Sequence, residues 1–492
     1  MRRAQPHNAR FIFCNYNPVA DRRESQLPQT NPFRSAPFVA HPKAPIMRNM
    51  TVLAVAALLA GTPAFGETAP AALTQPQAPA AAKPAVAASE APAPRTSAKA
   101  APASTPEQRS AEALALSHEP TFDEGSAQRI REAALSYSDI AVRGGWPEIP
   151  TDAKFAPGAA GANDELLRKR LIISGDLAAD QDRGAFDQTL AAAVKRFQVR
   201  HGLAATGGVT ARTIAALNVP VQKRIKQLEA SLERLDNMTF AFGPRYVVVN
   251  IPAAFAEAIE NDAVVRRYRV IVGKTEKPSP TLTADITSVN LNPTWTVPSS
   301  ITETEISAHM RKDPGYLARM HMEVRDAHDN PIDPQAVDWS GTHAPNFTVR
   351  QQNGAWNALG AVKIDMPNAY SVYMHDTNQR NLFSDDYRFD SHGCSRVDNV
   401  RDLAAWLLKD QPKWSRAAID AAIATGERHD IPVTRKIPVA WIYLTAWMTR
   451  DQTVQFRNDT YHQDEQLLEA TAEEAAFFSQ AGNHPLTAHL AQ

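Results

Sequence analysis

Thiols are scarce in this chain of 492 residues: only Cys14 and Cys394 occur, too few to frame a disulfide-stapled fold or a zinc site built from several thiolates. Net charge is lacking too. With 52 Lys+Arg against 53 Asp+Glu, a formal charge of −1 sets up no long-range field to gather nucleic acid or hold the whole chain on an anionic membrane. The apolar run from Thr51 to Ala60 is too short to span a bilayer. Glycine (21) is outnumbered by proline (36), and the prolines crowd the first quarter, which points to an unstructured leader. What is present, 43% hydrophobic and 21% charged residues, suffices for about three domains.

From Met47 the order is a short basic start, the apolar run, and small residues up to Gly66, which are the parts of a secretory signal peptide over 47–66. Residues 1–46, polar and Arg-rich, read as an upstream extension from a misassigned start, with initiation at Met47 or Met50. A transit peptide is the alternative, since Arg2, Arg3 and Arg10 come early. Either way Cys14 leaves with the leader, and the exported chain keeps one thiol, Cys394, in an oxidising compartment. Residues 67–106, dominated by Ala, Pro, Ser and Thr, read as a disordered tether.

Helical spacing is expected at Glu107–Ser117 and Gly125–Val142, a scaffold segment over 107–160. A compact module over 161–240 follows, with helices at Glu165–Leu171, Gln188–His201, Ala211–Leu217 and Val221–Leu235. Leu190, Ala193, Val194, Phe197 and Gln198 recur at helical spacing, and Gly202 supplies a stop. From Arg245 the period changes. β-rich runs at 246–251, 268–272, 286–291, 347–350, 362–364 and 371–374 predict a mainly β body over 241–470. Within it, 299–344 is charged and helical in pattern and reads as an inserted lid. Helices at 399–408 and 415–424, a strand around 439–447 and a helix from 462 to 478, reaching into the tail at 471–492, close the chain. The fold class is therefore α+β and multidomain.

The segment richest in chemistry is His375, fifteen intervening residues, then Ser391-His392-Gly393-Cys394-Ser395-Arg396. A buried cysteine is usually a small hydrophobe, but flanking His, Gly and Arg suit an apolar core badly. Gly393 permits a tight turn that presents backbone amides to an oxyanion, while nearby cations favour a thiolate. His375, at the end of the strand-like Tyr370–Met374, stands as general base. No acid is forced to be its orienting partner; a backbone carbonyl can hold the imidazole.

This spaced signature resembles that of the L,D-transpeptidase (YkuD-like) catalytic domain. Asn357-Ala358-Leu359-Gly360, Pro367-Asn368 and Val372 to Thr377, with Ile437-Pro438-Val439, Tyr443 to Trp447 and Val454 to Arg457, are similar to the large murein members of that family. The helical module resembles a peptidoglycan-binding domain through Gly175-Asp176-Leu177, Phe186-Asp187, Ala193 to Gln198, His201-Gly202-Leu203 and Leu217-Asn218, with Thr206 where the pattern usually has Asp.

The resemblance implies a periplasmic, wall-associated transpeptidase of cysteine nucleophile, inhibited by carbapenems and acting on peptidoglycan stem peptides and glycan. It carries over Cys394 as nucleophile, His375 as base, and the Gly393 and Cys394 amides as oxyanion donors. Ser391, His392 and Arg396 would line the donor site. Tyr373 is a further candidate there, although its strand context, like the turn of Asn368, favours a structural role. No cofactor or metal is needed, because His309 and His321 lack ligand-spaced companions. No nucleic-acid partner is expected, and the processed protein is not an integral membrane one. Rival readings are an L,D-carboxypeptidase or endopeptidase on the same scaffold and a non-catalytic wall-binding protein. A papain-like protease would place Cys before His, the reverse of the order here.

Overall fold

The computed structural model describes residues 104–340 and 346–482, with side chains up to residue 473. The expected extension, signal peptide and nearly all of the tether lie outside the described residues, as do 341–345 of the insertion and the end of the tail. No helix among the described residues is long and apolar enough to cross a membrane.

Six helices come first: α1 (Pro106–Ala115), α2 (Ser126–Val142), α3 (Ala162–Ile173), α4 (Gln188–Arg200), α5 (Ala211–Leu217) and α6 (Val221–Asp236). Capping residues fix their starts. The Thr105 side chain accepts the Gln108 amide while the Gln108 side chain accepts the Thr105 amide, and Asp187 accepts the Leu190 amide at 2.8 Å. Helices α3, α4 and α5 enclose their own core of Leu167, Leu171, Leu190, Val194, Phe197 and Leu217. Helix α6, expected to complete that module, instead packs Val221, Leu228 and Leu235 with Ile130 and Tyr137 of α2 against the sheet.

Four strands follow, β1 (Arg245–Asn250), β2 (Phe255–Glu260), β3 (Ala263–Gly273) and β4 (Leu282–Leu291). The insertion comprises β5 (Trp295–Val297), α7 (Ser299–Ile301), a π-helical turn at Thr302–Ile306, α8 (Ser307–Lys312), α9 (Tyr316–Arg319), β6 (Met322–Arg325), β7 (Pro331–Ile332) and β8 (Thr348–Gln351). The chain returns to the body with β9 (Val362–Asp365), β10 (Met374–His375), β11 (Phe389–Ser391), β12 (Ser395–Val397), α10 (Val400–Leu407), α11 (Arg416–Ala424) and β13 (His429–Ile442). It ends with β14 (Ala446–Met448), β15 (Val454–Phe456) and α12 (Asp464–Gly482).

Nine strands form one sheet in the order β11-β3-β12-β10-β9-β4-β13-β1-β2. Strand β3 also pairs with β2 through its first half, so the sheet closes on itself. Alternation along β1 sends Val247 and Val249 into the enclosed core with Val289, Ile364, Met374 and Trp441, and Tyr246 and Val248 outward beneath α2 and α6.

The α3–α5 module is tied to this body by hydrogen bonds as well as packing. Arg200 reaches the Asp176 carboxylate at 2.7 and 2.6 Å and the Val454 carbonyl at 3.3 Å, while Arg457 donates to the Arg200 carbonyl at 3.1 Å. The Arg200 and Asp176 side chains are only 7% and 3% exposed. Asp176→Ala would strand a buried guanidinium and is expected to destabilise the protein by roughly 3–5 kcal/mol. Denaturant titration checks this; a loss below about 1 kcal/mol, the worth of a surface pair, would contradict it.

Several elements differ from the sequence expectation. The insertion is not simply helical: after α9 it turns into a small sheet, β5-β8-β6-β7, over a core of Ile306, Met310, Leu317, Val324 and Val349. Alternation at Met322-Glu323-Val324-Arg325 is the strand signal, and the run at 347–350 joins this sheet rather than the body. The expected strand at 371–374 shrinks to Met374–His375 because Asn368 builds a loop, accepting the Tyr370 and Val372 amides and donating to the Met366 and Val372 carbonyls. The run around 439–447 divides between β13 and β14. Strand β2, Ala- and Glu-containing, carried no β-rich signal, yet its Ala256 and Ala258 are fully buried.

Candidate active site

The two short strands β10 and β12 run parallel, with Met374 opposite Ser395 and His375 opposite Arg396. On its other side β10 pairs antiparallel with β9, placing His375 opposite Lys363 and Met374 opposite Ile364. Strand alternation therefore divides the faces: Met374, Ile364 and Val362 enter the core, while Lys363, His375 and Arg396 stand side by side on the opposite face. Cys394, just before Ser395, opens onto that face beside Tyr373. The eighteen positions between His375 and Cys394 thus collapse into one cross-strand cluster.

The approach to His375 is locked by its neighbour. Asp376, 3% exposed, accepts the Ala361 amide at 3.0 Å and Arg380 at 2.8 Å, and its amide donates to the Val362 carbonyl at 2.8 Å. Gly360, at φ +60°, lies where a Cβ would come within 2.6 Å of the Asp376 side chain, so only glycine fits. The His375 ring is buried edge-on to Tyr373, with centroids 5.7 Å apart, and its Nδ1 has no hydrogen-bond partner among the described residues. The Asp376 backbone favours the protonated ring, and packing against Tyr373 helps to orient it.

The turn that carries Cys394 is tightly hydrogen-bonded. Gly393 adopts φ +110°, a conformation open to glycine. The Ser391 hydroxyl donates to the Cys394 carbonyl at 2.5 Å and accepts the Gly393 amide at 3.2 Å. Ser391 is 2% exposed, so it braces the turn instead of lining an open donor site. The Gly393 amide, expected to face an oxyanion, is also engaged. The Cys394 amide has no partner among the described residues and is the available donor.

His392 points to the insertion, its Nε2 lying 2.5 Å from Glu305 in the π-helical turn. Arg396 donates to Gln379 at 2.9 Å and faces no carboxylate at salt-bridge distance among the described residues. Lys363 pairs with Asp365 at 2.6 Å and lies 4.6 Å from the Tyr373 ring centroid. Neither Lys363 nor Glu305 was expected. The apolar-Lys-apolar pattern at 362–364 indicates which face Lys363 takes, but only strand register reveals its neighbour.

Burial, followed by the charge on Arg396, pushes the His375 pKa down to about 3. Burial also pushes the Cys394 thiol up to about 11, against pulls toward the thiolate from Tyr373, Lys363 and Arg396. Both shifts disfavour a preformed thiolate–imidazolium pair. Since only the thiolate alkylates, a raised thiol pKa means its fraction grows about tenfold per pH unit up to about 11. Iodoacetamide labelling of Cys394 is expected to follow that slope from pH 7 to 10. A plateau beginning near pH 5 or 6 would reveal an ion pair and contradict it.

Comparison with known proteins agrees with these two bodies. Residues 244–426 match the YkuD family model, described as the L,D-transpeptidase catalytic domain, and residues 160–217 match the model described as "Putative peptidoglycan binding domain". The chain thus carries an L,D-transpeptidase catalytic domain preceded by a peptidoglycan-binding domain. A curated relative from Haemophilus influenzae, described as "Putative L,D-transpeptidase", is 30% identical over 222 residues, 45% of each chain, so this chain spans less than half of that relative's length. Among solved structures, an L,D-transpeptidase from Mycobacterium smegmatis is 16% identical over 40% of this chain and 58% of its own, at TM-score 0.20. One from Stackebrandtia nassauensis is 11% identical over 60% and 97%, at TM-score 0.23.

Proposed function

We propose that this protein is a periplasmic peptidoglycan L,D-transpeptidase. The observation that carries the reading is the cross-strand cluster of Cys394, His375, Arg396 and Lys363 inside the region matching the catalytic-domain model. His375 takes the thiol proton as Cys394 Sγ attacks the carbonyl joining diaminopimelate to the terminal D-alanine of a donor tetrapeptide stem. A proton moving with the attack suits a neutral pair. The oxyanion is held by the Cys394 amide. The tetrahedral species collapses, the C–N bond breaks, and the D-alanine amine leaves with the proton from His375. A thioester remains. The side-chain amine of a second stem's diaminopimelate then attacks it, gives a proton through His375 to the departing thiolate, and joins the two stems. Cys394, His375 and the turn at Gly393 are the catalytic set.

Arg396, with no carboxylate partner within salt-bridge distance among the described residues, recognises a stem carboxylate, assisted by Lys363. The insertion, touching the nucleophile turn through Glu305 and His392, closes over the acyl-enzyme and keeps water out. Water in place of the amine would give L,D-carboxypeptidase products. The α3–α5 module holds the enzyme on its polymer, and the signal peptide delivers it there.

Incubation with purified tetrapeptide stems tests the reading. A diaminopimelate-linked dimer with release of D-alanine is expected; shortened stems alone would replace transpeptidation with carboxypeptidation, and unchanged stems would leave a wall-binding protein.

A further inference from the structure

The oxyanion donor assigned above belongs to a peptide group whose other end is held from a distance. The Ser279 hydroxyl donates to the Gly393 carbonyl at 2.7 Å, and that carbonyl shares its peptide plane with the Cys394 amide. In a planar trans peptide the C=O and N–H point in opposite directions, so pinning one aims the other. We propose that Ser279 is a positioning residue for the oxyanion site: by holding the Gly393 carbonyl it turns the unpartnered Cys394 N–H toward the substrate carbonyl.

Ser279 is itself fixed on every side. Its Oγ accepts the Gly273 amide at 2.9 Å, and its own amide donates to the Tyr461 hydroxyl at 3.2 Å. Tyr461 donates to the Gly273 carbonyl at 2.5 Å, and its amide donates to the Tyr443 hydroxyl at 2.8 Å. Ser279 and Tyr461 are 3% and 7% exposed, so these bonds form away from water, where a chain of them polarises its members. A Cβ on Gly273 would come within 2.3 Å of the Lys277 carbonyl, so the loop that delivers Ser279 needs glycine there. Ser391 braces the turn from the other side. Tyr461 lies outside the matched catalytic region, so the closing segment supports the reaction through the Ser279 loop.

The inference rests on the transpeptidase reading, and two reactions of the same thiol separate them. Acylation by a carbapenem builds an oxyanion; alkylation by iodoacetamide does not. In the full chain, Ser279→Ala is expected to lower the limiting acylation rate about 10- to 100-fold. The half-saturating carbapenem concentration, the alkylation rate and its pH profile should stay as in the parent. Ser279→Thr, which keeps the hydroxyl, should restore acylation, and Tyr461→Phe should lose part of it. Equal losses in both reactions, or no loss in acylation, would overturn the inference while leaving Cys394 as nucleophile. A parent chain that alkylates but never acylates would remove the nucleophile reading and this inference together.

Discussion

Cys394→Ala is expected to abolish turnover of stem peptides, a loss on the order of 10⁴- to 10⁶-fold, while the protein stays folded. The reasoning is chemical and structural at once. The proposed acyl transfer has a single nucleophile, and without it neither thioester nor product would form. The side chain is small and only partly buried, its packing against the core is peripheral, and the turn around it is held by bonds from Ser391 and Ser279 to backbone atoms that alanine keeps. Loss of activity with an unchanged thermal midpoint would assign the effect to chemistry. A variant retaining a tenth of the parent's rate would show that another group performs the reaction. A purely wall-binding protein would retain its whole function.

The second large effect is at His375. His375→Gln keeps most of the ring's volume in its buried niche beside Tyr373 but removes the group proposed to accept and return a proton. Turnover should fall about 10²- to 10⁴-fold, the usual contribution of a general base. The pH dependence should change in shape as well. With the base gone, reaction depends on spontaneous ionisation of a thiol pushed up to about 11, so the residual rate should climb about tenfold per pH unit through the alkaline range. A residual rate independent of pH between 7 and 10 would mean the thiolate forms without His375 and that burial is not the controlling influence.

What the sequence makes legible, and what it does not, follows from distance along the chain. His375 and the Ser391–Arg396 turn carry their chemistry in local composition, and pairing of β10 with β12 brings them to one face. The helices of the α3–α5 module are equally local, since caps and spacing at Asp187, Thr210 and Phe197 define them without reference to the sheet. Lys363, Glu305, Ser279 and Tyr461 are different. Each reaches the site through a register or loop approach set by remote segments, and nothing beside them in sequence marks the contact. Ser391 shows the converse: its place inside the motif suggested a substrate contact, whereas its hydroxyl is engaged within the turn. In the insertion, charge and helical spacing in the first half mask the strand alternation of the second.

The most direct test of the central claim is intact-protein mass spectrometry after incubation with a carbapenem, followed by peptide mapping. The account predicts a gain of one drug mass carried as a thioester on Cys394 and absent from Cys394→Ala. A parent chain with no mass increase, or an adduct mapped to any other residue, would contradict it.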